Sequence, residues 1–219
     1  MPFSFKSAGL CFCSLHKVNI EEMQALHALF LTMGSFLAVN AQSFHLGRCP
    51  TPPVQQNFDV AKYMGRWYEI QKLPAVFELG TCNQATYTLM PEGVVKVVNA
   101  ELLSDGMVHS IEGTARVKNA SQPAILEVSF FKGAPSAPYW VLSTDYESYT
   151  LVYACTNYLG FFYVDFAWIM SRSRTLQEET VTELRNVLTS NGISVKRMMV
   201  SDQTNCAAMT QEGGPVIAE

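Results

Sequence analysis

Basic residues are too few in this chain to balance the acidic ones: 15 Lys and Arg stand against 19 Asp and Glu, a formal net charge of -4 over 219 residues. A surface without positive excess cannot neutralise a run of phosphates, so nucleic acid is not an expected partner. Histidine is scarce as well, with 4 in the chain, of which His45 and His109 lie beyond residue 41. No two of the cysteines in that region, Cys49, Cys82, Cys155 and Cys206, are near neighbours. Zinc sites draw on closely spaced Cys and His ligands, so neither a metal nor another cofactor is expected. His45 falls in an N-terminal arm and His109 beside a turn, and neither is grouped in sequence with a serine and a carboxylate. No catalytic residue is assigned and no enzyme is expected. Internal repeats are missing, and no apolar run reaches the ~20 residues that cross a bilayer as a helix.

The apolar stretch over residues 25–39 is broken by His27, Thr32 and Ser35. At about 15 residues it suits the hydrophobic region of a secretory signal better than a membrane span. Val39 and Ala41 place small residues three and one positions before a cut at Gln42. Residues 1–41 therefore read as a signal peptide of a secreted, extracellular protein. Glu21 and Glu22 stand where such a signal carries positive charge, and a start at Met23 removes the defect. The expected organisation is a domain over residues 42–206 and a flexible tail over 207–219. In an oxidising compartment Cys49, Cys82, Cys155 and Cys206 argue for two disulfides, with three connectivities that spacing does not separate. Asn119-Ala120-Ser121 is an N-glycosylation sequon, which requires an exposed loop at Asn119.

From Gly65 onward the chain breaks into short β-rich runs at 66–71, 84–89, 94–102, 107–117, 125–131, 139–144, 149–156 and 162–171. Their separators have the chemistry of turns: Pro91-Glu92-Gly93, Asp105-Gly106 and the four-residue loop Asp145-Tyr146-Glu147-Ser148. No helical pattern intervenes, which excludes a parallel sheet with crossover helices and leaves an antiparallel meander. One helix follows. Thr175-Leu176-Gln177-Glu178 reads as a capping box, Val181, Leu184, Val187 and Leu188 form an apolar stripe, and Asn191-Gly192 ends it. Residues 195–201 offer a short ninth strand. The run Phe161-Phe162-Tyr163-Val164-Asp165-Phe166-Ala167-Trp168-Ile169 is apolar on both faces, as a strand needs when its barrel has an apolar interior and a helix outside.

Motifs sharpen this reading. Gly65-Arg66-Trp67-Tyr68-Glu69 follows Phe58-Asp59-Val60, Thr144-Asp145-Tyr146 lies further on, and Arg172 stands just past the last strand. In this order and spacing they resemble the three signatures of the lipocalin family. The resemblance implies an all-β fold: an eight-stranded antiparallel up-and-down barrel with one C-terminal helix packed outside it. It also implies that Trp67 plugs the closed end with Arg172 laid over its indole, so that Gly65, Trp67, Thr144, Asp145, Tyr146 and Arg172 are structural. The segments QSFHLGRCPTPPVQQNFDV, PSAPYWVLSTDYESYTLVYAC and VDFAWIM resemble one subgroup of the family over residues 42–206. That likeness implies the pairs Cys49–Cys155 and Cys82–Cys206. Close relatives can carry a further cysteine two residues beyond the equivalent of Cys155, where this chain has Asn157, so no disulfide-linked partner is expected.

The resemblance further implies a carrier of small lipophilic ligands, such as fatty acids like arachidonate, steroids like progesterone, or tetrapyrroles. Its pocket would be lined by Tyr87, Asn99, Phe130, Tyr139 and Trp168. Aromatic rings offer flat apolar surface, while Asn99 and the tyrosine hydroxyls can meet a carboxylate or keto oxygen. Leu103 stands near the expected mouth and brings no charge, which argues against strong carboxylate recognition. Two loops are unusually apolar, one with Val76 and Phe77 and one with Tyr158, Leu159 and Phe161, and an up-and-down meander places both at one end. Exposed, they would dock on a membrane or a lipoprotein particle; folded inward, they would narrow the mouth. Two rival readings are an interaction protein with an incidental interior and a lipocalin-type isomerase. The isomerase would need a free thiol, which four oxidised cysteines do not supply.

Overall fold

The computed structural model describes residues 43–131, 133 and 135–210. The expected signal segment 1–41, its cleavage site and residues 211–219 of the tail lie outside the described residues.

The strands are β1 (Ser43–Leu46), β2 (Gly65–Lys72), β3 (Thr81–Leu89), β4 (Val95–Leu102), β5 (Val108–Val117), β6 (Ile125–Ser129), β7 (Ala137–Thr144), β8 (Tyr149–Tyr158), β9 (Phe162–Ser171) and β10 (Met199–Val200). From β2 to β9 each pairs antiparallel with the next, and β9 returns to β2, so the eight-stranded sheet closes into a barrel. Closure leaves few free edges, and the stretches of β9 and β2 that their barrel neighbours do not pair are taken up by β1 and β10. β1 adds to β9 on the outside of this circuit. β10, within the region expected to hold a short extra strand, pairs with Lys72 and Gln71 of β2. Gln203 completes that seam by donating to the carbonyls of Glu69 on β2 and Asn83 on β3.

Alternation sorts the side chains. Trp67, Ala85, Tyr87, Val97, Ala115, Val128, Val152 and Met170 form the inner cluster, while Leu151, Tyr153, Ala167 and Ile169 form an outer one. The outer cluster exists because helix α2 (Glu178–Ser190) lays Val181, Leu184 and Leu188 on it. Each such aliphatic side chain contributes roughly 1.5–3 kcal/mol of burial. The capping-box expectation at Thr175 fails. The N-cap is Gln177, with no side-chain cap, and the Thr175 carbonyl instead accepts from the hydroxyls of Ser171 and Ser173. Those serines hold the chain against the barrel for two more residues, and Glu178 and Glu179 then balance the helix N-terminus. Asn191 and Gly192 do stop the helix, with Gly192 at φ +77°.

Four differences from the sequence reading matter. A short helix α1 (Val60–Tyr63), capped by the Asp59 carboxylate on the Ala61 and Lys62 amides, was not expected. β6 ends at Ser129, so Phe130 and Phe131 lie past it. Residues Ala207–Thr210, assigned to the tail, form a 3-10 turn that buries Met209 beside Cys82 and Cys206. Finally, β2 carries a bulge, with Glu69 opposite Met170 and Gln71 opposite Ile169. The extra residue turns Ile70 and Gln71 both outward, Ile70 onto the outer cluster and Gln71 toward the Arg185 guanidinium. Glu69 and Lys72 consequently both face inward, which strict alternation forbids.

Candidate functional site: the barrel interior and its open rim

The closed end is built around Trp67, which is fully buried. The Arg172 guanidinium carbon lies 3.6 Å from the centroid of its ring. Arg172 also donates to the carbonyls of Tyr146 (3.0 Å), Arg66 (2.8 Å), Met64 (2.8 Å), Tyr63 (3.2 Å) and Lys62 (3.3 Å). Gly65 is required there: its φ is +96°, and a Cβ would stand 3.2 Å from an Arg172 nitrogen. The β7–β8 turn is tied to the same end. The Thr144 hydroxyl donates to the Tyr149 carbonyl, and one Asp145 oxygen accepts from the amides of Glu147, Ser148 and Tyr149. Tyr146 turns at φ 69°, and its hydroxyl accepts from the Asp59 amide. Glycine, tryptophan, the Thr-Asp-Tyr turn and arginine thus form one clasp around the first and last barrel strands.

Above Trp67 lies a floor of phenols. The hydroxyls of Tyr87 and Tyr139 are 2.8 Å apart, those of Tyr139 and Tyr63 are 2.8 Å apart, and Thr150 donates to Tyr63. Burial pushes the Tyr63 phenol up to about 12 and drives Tyr87 and Tyr139 well above their ordinary value, so all three remain neutral donors. Higher in the barrel, Asn99 shares a face with its register partners Ala85 and Ile111. Phe130 lies over Gly113, where a Cβ would come within 2.6 Å of the ring. Trp168 and Tyr139 pack against the same inner cluster. Asn99, Phe130, Tyr139 and Trp168 are only half-buried although they face the inside of a closed barrel. Tyr87, Asn99, Phe130, Tyr139 and Trp168 are thereby brought into one interior.

Near the mouth the interior carries charge that the sequence reading did not assign. The Lys72 ammonium sits 3.1 Å from Glu69 and 2.6 Å from Glu78. The other Glu78 oxygen accepts from the Trp168 indole N–H at 3.1 Å. Burial pushes the Glu69 carboxyl up to about 8, the neighbouring Glu78 charge adds to the rise, and Lys72 opposes it. Tyr63 and Gly113 were also missed; of these only Tyr63, one turn after the Asp59 cap, had a signal in the sequence.

The rim is apolar. Val76, Phe77, Leu79, Tyr158, Leu159 and Phe161 are exposed, Leu79 and Leu159 at 80% and 83%. Leu73, Pro74 and Ala75, in contrast, are buried. Phe77 does both things: it is 56% exposed, yet its ring contacts Phe166, centroids 5.3 Å apart. Cys49 is bonded to Cys155 and Cys82 to Cys206. Every cysteine among the described residues is therefore oxidised, and the Asn157 side chain accepts from the Cys49 amide. Asn119 is exposed in the β5–β6 loop at the closed end, its side-chain oxygen engaged by the Ser121 amide. No group of three or more metal-ligating side chains occurs among the described residues, and none of their helices is long and apolar enough to cross a membrane.

Comparison with known proteins places this architecture. A lipocalin-like domain model matches residues 58–203. The chain is 54% identical to apolipoprotein D of Mus musculus over 173 residues, covering 79% of this chain and 92% of that protein. It is 57% identical to apolipoprotein D of Macaca fascicularis with the same coverage, and 33% identical to the bilin-binding protein of Pieris brassicae, covering 78% and 92%. Among solved structures, insecticyanin of the tobacco hornworm Manduca sexta superposes with a TM-score of 0.65 at 26% identity, covering 76% of this chain and 92% of that one. The barrel, its clasp and these relatives agree: the chain belongs to the lipocalin family.

Proposed function

We propose that the protein is a secreted carrier that holds a small hydrophobic ligand in the barrel interior and catalyses nothing. The observation that carries this reading is the half-buried set Asn99, Phe130, Tyr139 and Trp168 inside a closed barrel, above a floor of neutral phenols. Apolar walls supply affinity: about 300 Å² of ligand surface at ~25 cal/mol/Å² gives several kcal/mol gross, enough for micromolar binding after association costs. A fatty acid such as arachidonate, a steroid such as progesterone and a tetrapyrrole all fit that chemistry, and a bilin is the ligand in the name of one relative.

The rim adds a second element. Val76, Phe77, Leu79, Tyr158, Leu159 and Phe161 surround the mouth with exposed apolar surface, which supports docking on a membrane or lipoprotein particle while ligand is exchanged. A glycan at Asn119, at the opposite end, would leave that docking face clear. Residues 1–41 act as the signal that delivers the chain to the oxidising compartment its disulfides need.

The test is tryptophan fluorescence of the oxidised, secreted protein titrated with arachidonate, progesterone and a bilin, repeated on Trp168→Phe. Saturable quenching by one class, strongly reduced in the variant, is expected. A folded protein that none of them quenches refutes the carrier reading and leaves the rim as the place where function resides.

A further inference from the structure

Ion pairs are costly inside a cavity that serves apolar ligands, so Lys72 and its two carboxylates call for an explanation. The bulge at Ile70 is what brings Lys72 inside, opposite Trp168 on β9. Glu78 arrives differently, from the loop between β2 and β3 at the open end. Its carboxylate takes one donor on each oxygen, the Lys72 ammonium at 2.6 Å and the Trp168 indole N–H at 3.1 Å. A cation and a neutral N–H converging on the two oxygens of one carboxylate make a carboxylate-binding site. Lys72 is held in place independently by Glu69, and Trp168 by its packing on the inner cluster. The donors are thus fixed by barrel strands, and the acceptor is carried by a loop.

We infer that Lys72 and the Trp168 indole N–H form the head-group site for the carboxylate of a long-chain fatty acid, and that Glu78 occupies it as an internal stand-in that the ligand displaces. This rests on the carrier reading and narrows it to acidic lipids. Displacement exchanges one carboxylate for another at Lys72, so no charge is left unpaired inside, and Glu78 moves to solvent on the side where Phe77 and Leu79 are already exposed. Aromatic surface from Phe166, whose ring stacks 5.8 Å from that of Trp168, lies beside the site and receives the first methylenes. The uncharged Leu103 at the rim is then no obstacle to acid recognition, because the cation is supplied from within. Glu69 holds the Lys72 ammonium in position at 3.1 Å whether or not the site is filled.

The experiment compares arachidonic acid with its methyl ester by fluorescence titration of the oxidised, secreted protein and of two single variants. Glu78→Gln preserves size but removes the competing charge, and it should tighten acid binding about three- to tenfold while leaving the ester unchanged. Trp168→Phe removes one donor and keeps an aromatic ring, so it should weaken the acid about three- to tenfold and the ester much less. Circular dichroism confirms that both variants fold, and displacement of a fluorescent lipid replaces the Trp168 signal. Equal affinity for acid and ester in the parent, or unchanged or weaker acid binding in folded Glu78→Gln, overturns the inference while leaving the carrier intact. Failure of both lipids to bind overturns the inference, and the carrier reading falls with it only when progesterone and a bilin also fail to bind the folded protein.

Discussion

Replacing Arg172 by methionine should cost about 3–5 kcal/mol of folding stability, a large part of the roughly 5–15 kcal/mol that a domain possesses. The guanidinium stands 3.6 Å from the Trp67 centroid, a contact worth about 0.5–2 kcal/mol. It also has its shortest hydrogen bonds, 2.8 Å each, to the carbonyls of Arg66 and Met64. Charged hydrogen bonds contribute about 1.5–3 kcal/mol apiece when sheltered, and Arg172 is half-buried, so water recovers part of the loss. The remaining bonds, to Tyr146, Tyr63 and Lys62, join the β7–β8 turn to α1, and no apolar side chain replaces that bridging. With a urea slope of about 2 kcal/mol/M the midpoint should fall by about 2 M. Arg172→Lys retains the charge but cannot reach the indole face and both groups of carbonyls together, so it should recover less than half. Urea unfolding followed by near-UV circular dichroism measures both variants. A loss below about 1 kcal/mol for the methionine variant, or full recovery by lysine, would refute the clasp as the stabilising unit of the closed end.

Three further outcomes follow from the same geometry. Glu69, with an ordinary pKa of 4.5 pushed up to about 8, favours folding fully below pH 4.5 and loses that contribution as pH rises to about 8; Glu69→Gln should therefore gain in melting temperature over the parent progressively between pH 5 and 8, and parallel melting curves would sink the argument. Tyr139→Phe removes the hydroxyl that links Tyr87 to Tyr63, and should cost about 1–2 kcal/mol in urea unfolding; an unchanged midpoint would mean the phenols find other partners. The double variant Cys82→Ser, Cys206→Ser should lose about 2–4 kcal/mol and expose residues 199–206 to limited proteolysis, because the bond ties that segment to β3; resistance equal to the parent's would show that the β10 pairing suffices.

The eight barrel strands were legible because each is bounded by residues whose chemistry makes a turn, and the structure shows that chemistry at work. Asp145 collects three amides in the β7–β8 loop, the Asp105 carboxylate accepts from the Met107 amide, and Glu92 turns at φ 62°. The helix's apolar stripe was legible for the same reason its outer partners exist. Its start was not: Thr175 has the side chain of a cap, but its carbonyl is already committed to Ser171 and Ser173, a tertiary arrangement that no local pattern records. Alternation likewise predicts Gln71 inside and Lys72 outside. The bulge at Ile70 reverses both, so the charged part of the interior is invisible to a reading that counts by twos. Tyr87, Phe130, Tyr139 and Trp168 still pack on the inner cluster because the extra residue lies in β2 and in none of their own segments.

The two ends of the barrel are held by different means, and that difference separates stability from binding. At the closed end Trp67, Arg172 and the Thr-Asp-Tyr turn are fixed by bonds that cross between first and last strands, so substitution there acts on the whole fold. At the open end β2 and β3 have parted, and the seam is filled by β10, Gln203 and the Cys82–Cys206 bond rather than by a continuous ladder. A disulfide constrains where the chain ends but not how neighbouring loops move. Loop 73–80 is accordingly anchored at Leu73 and Ala75, free at Val76 and Leu79, and latched at Glu78. Under the proposed carrier reading, release of Glu78 would free the loop tip between Ala75 and the Gly80 amide, which Glu101 holds, without disturbing the clasp. Variants at Trp67 or Arg172 should therefore unfold the protein at lower denaturant with ligand affinity intact below the transition, whereas variants at Glu78 should change affinity with the unfolding midpoint nearly fixed.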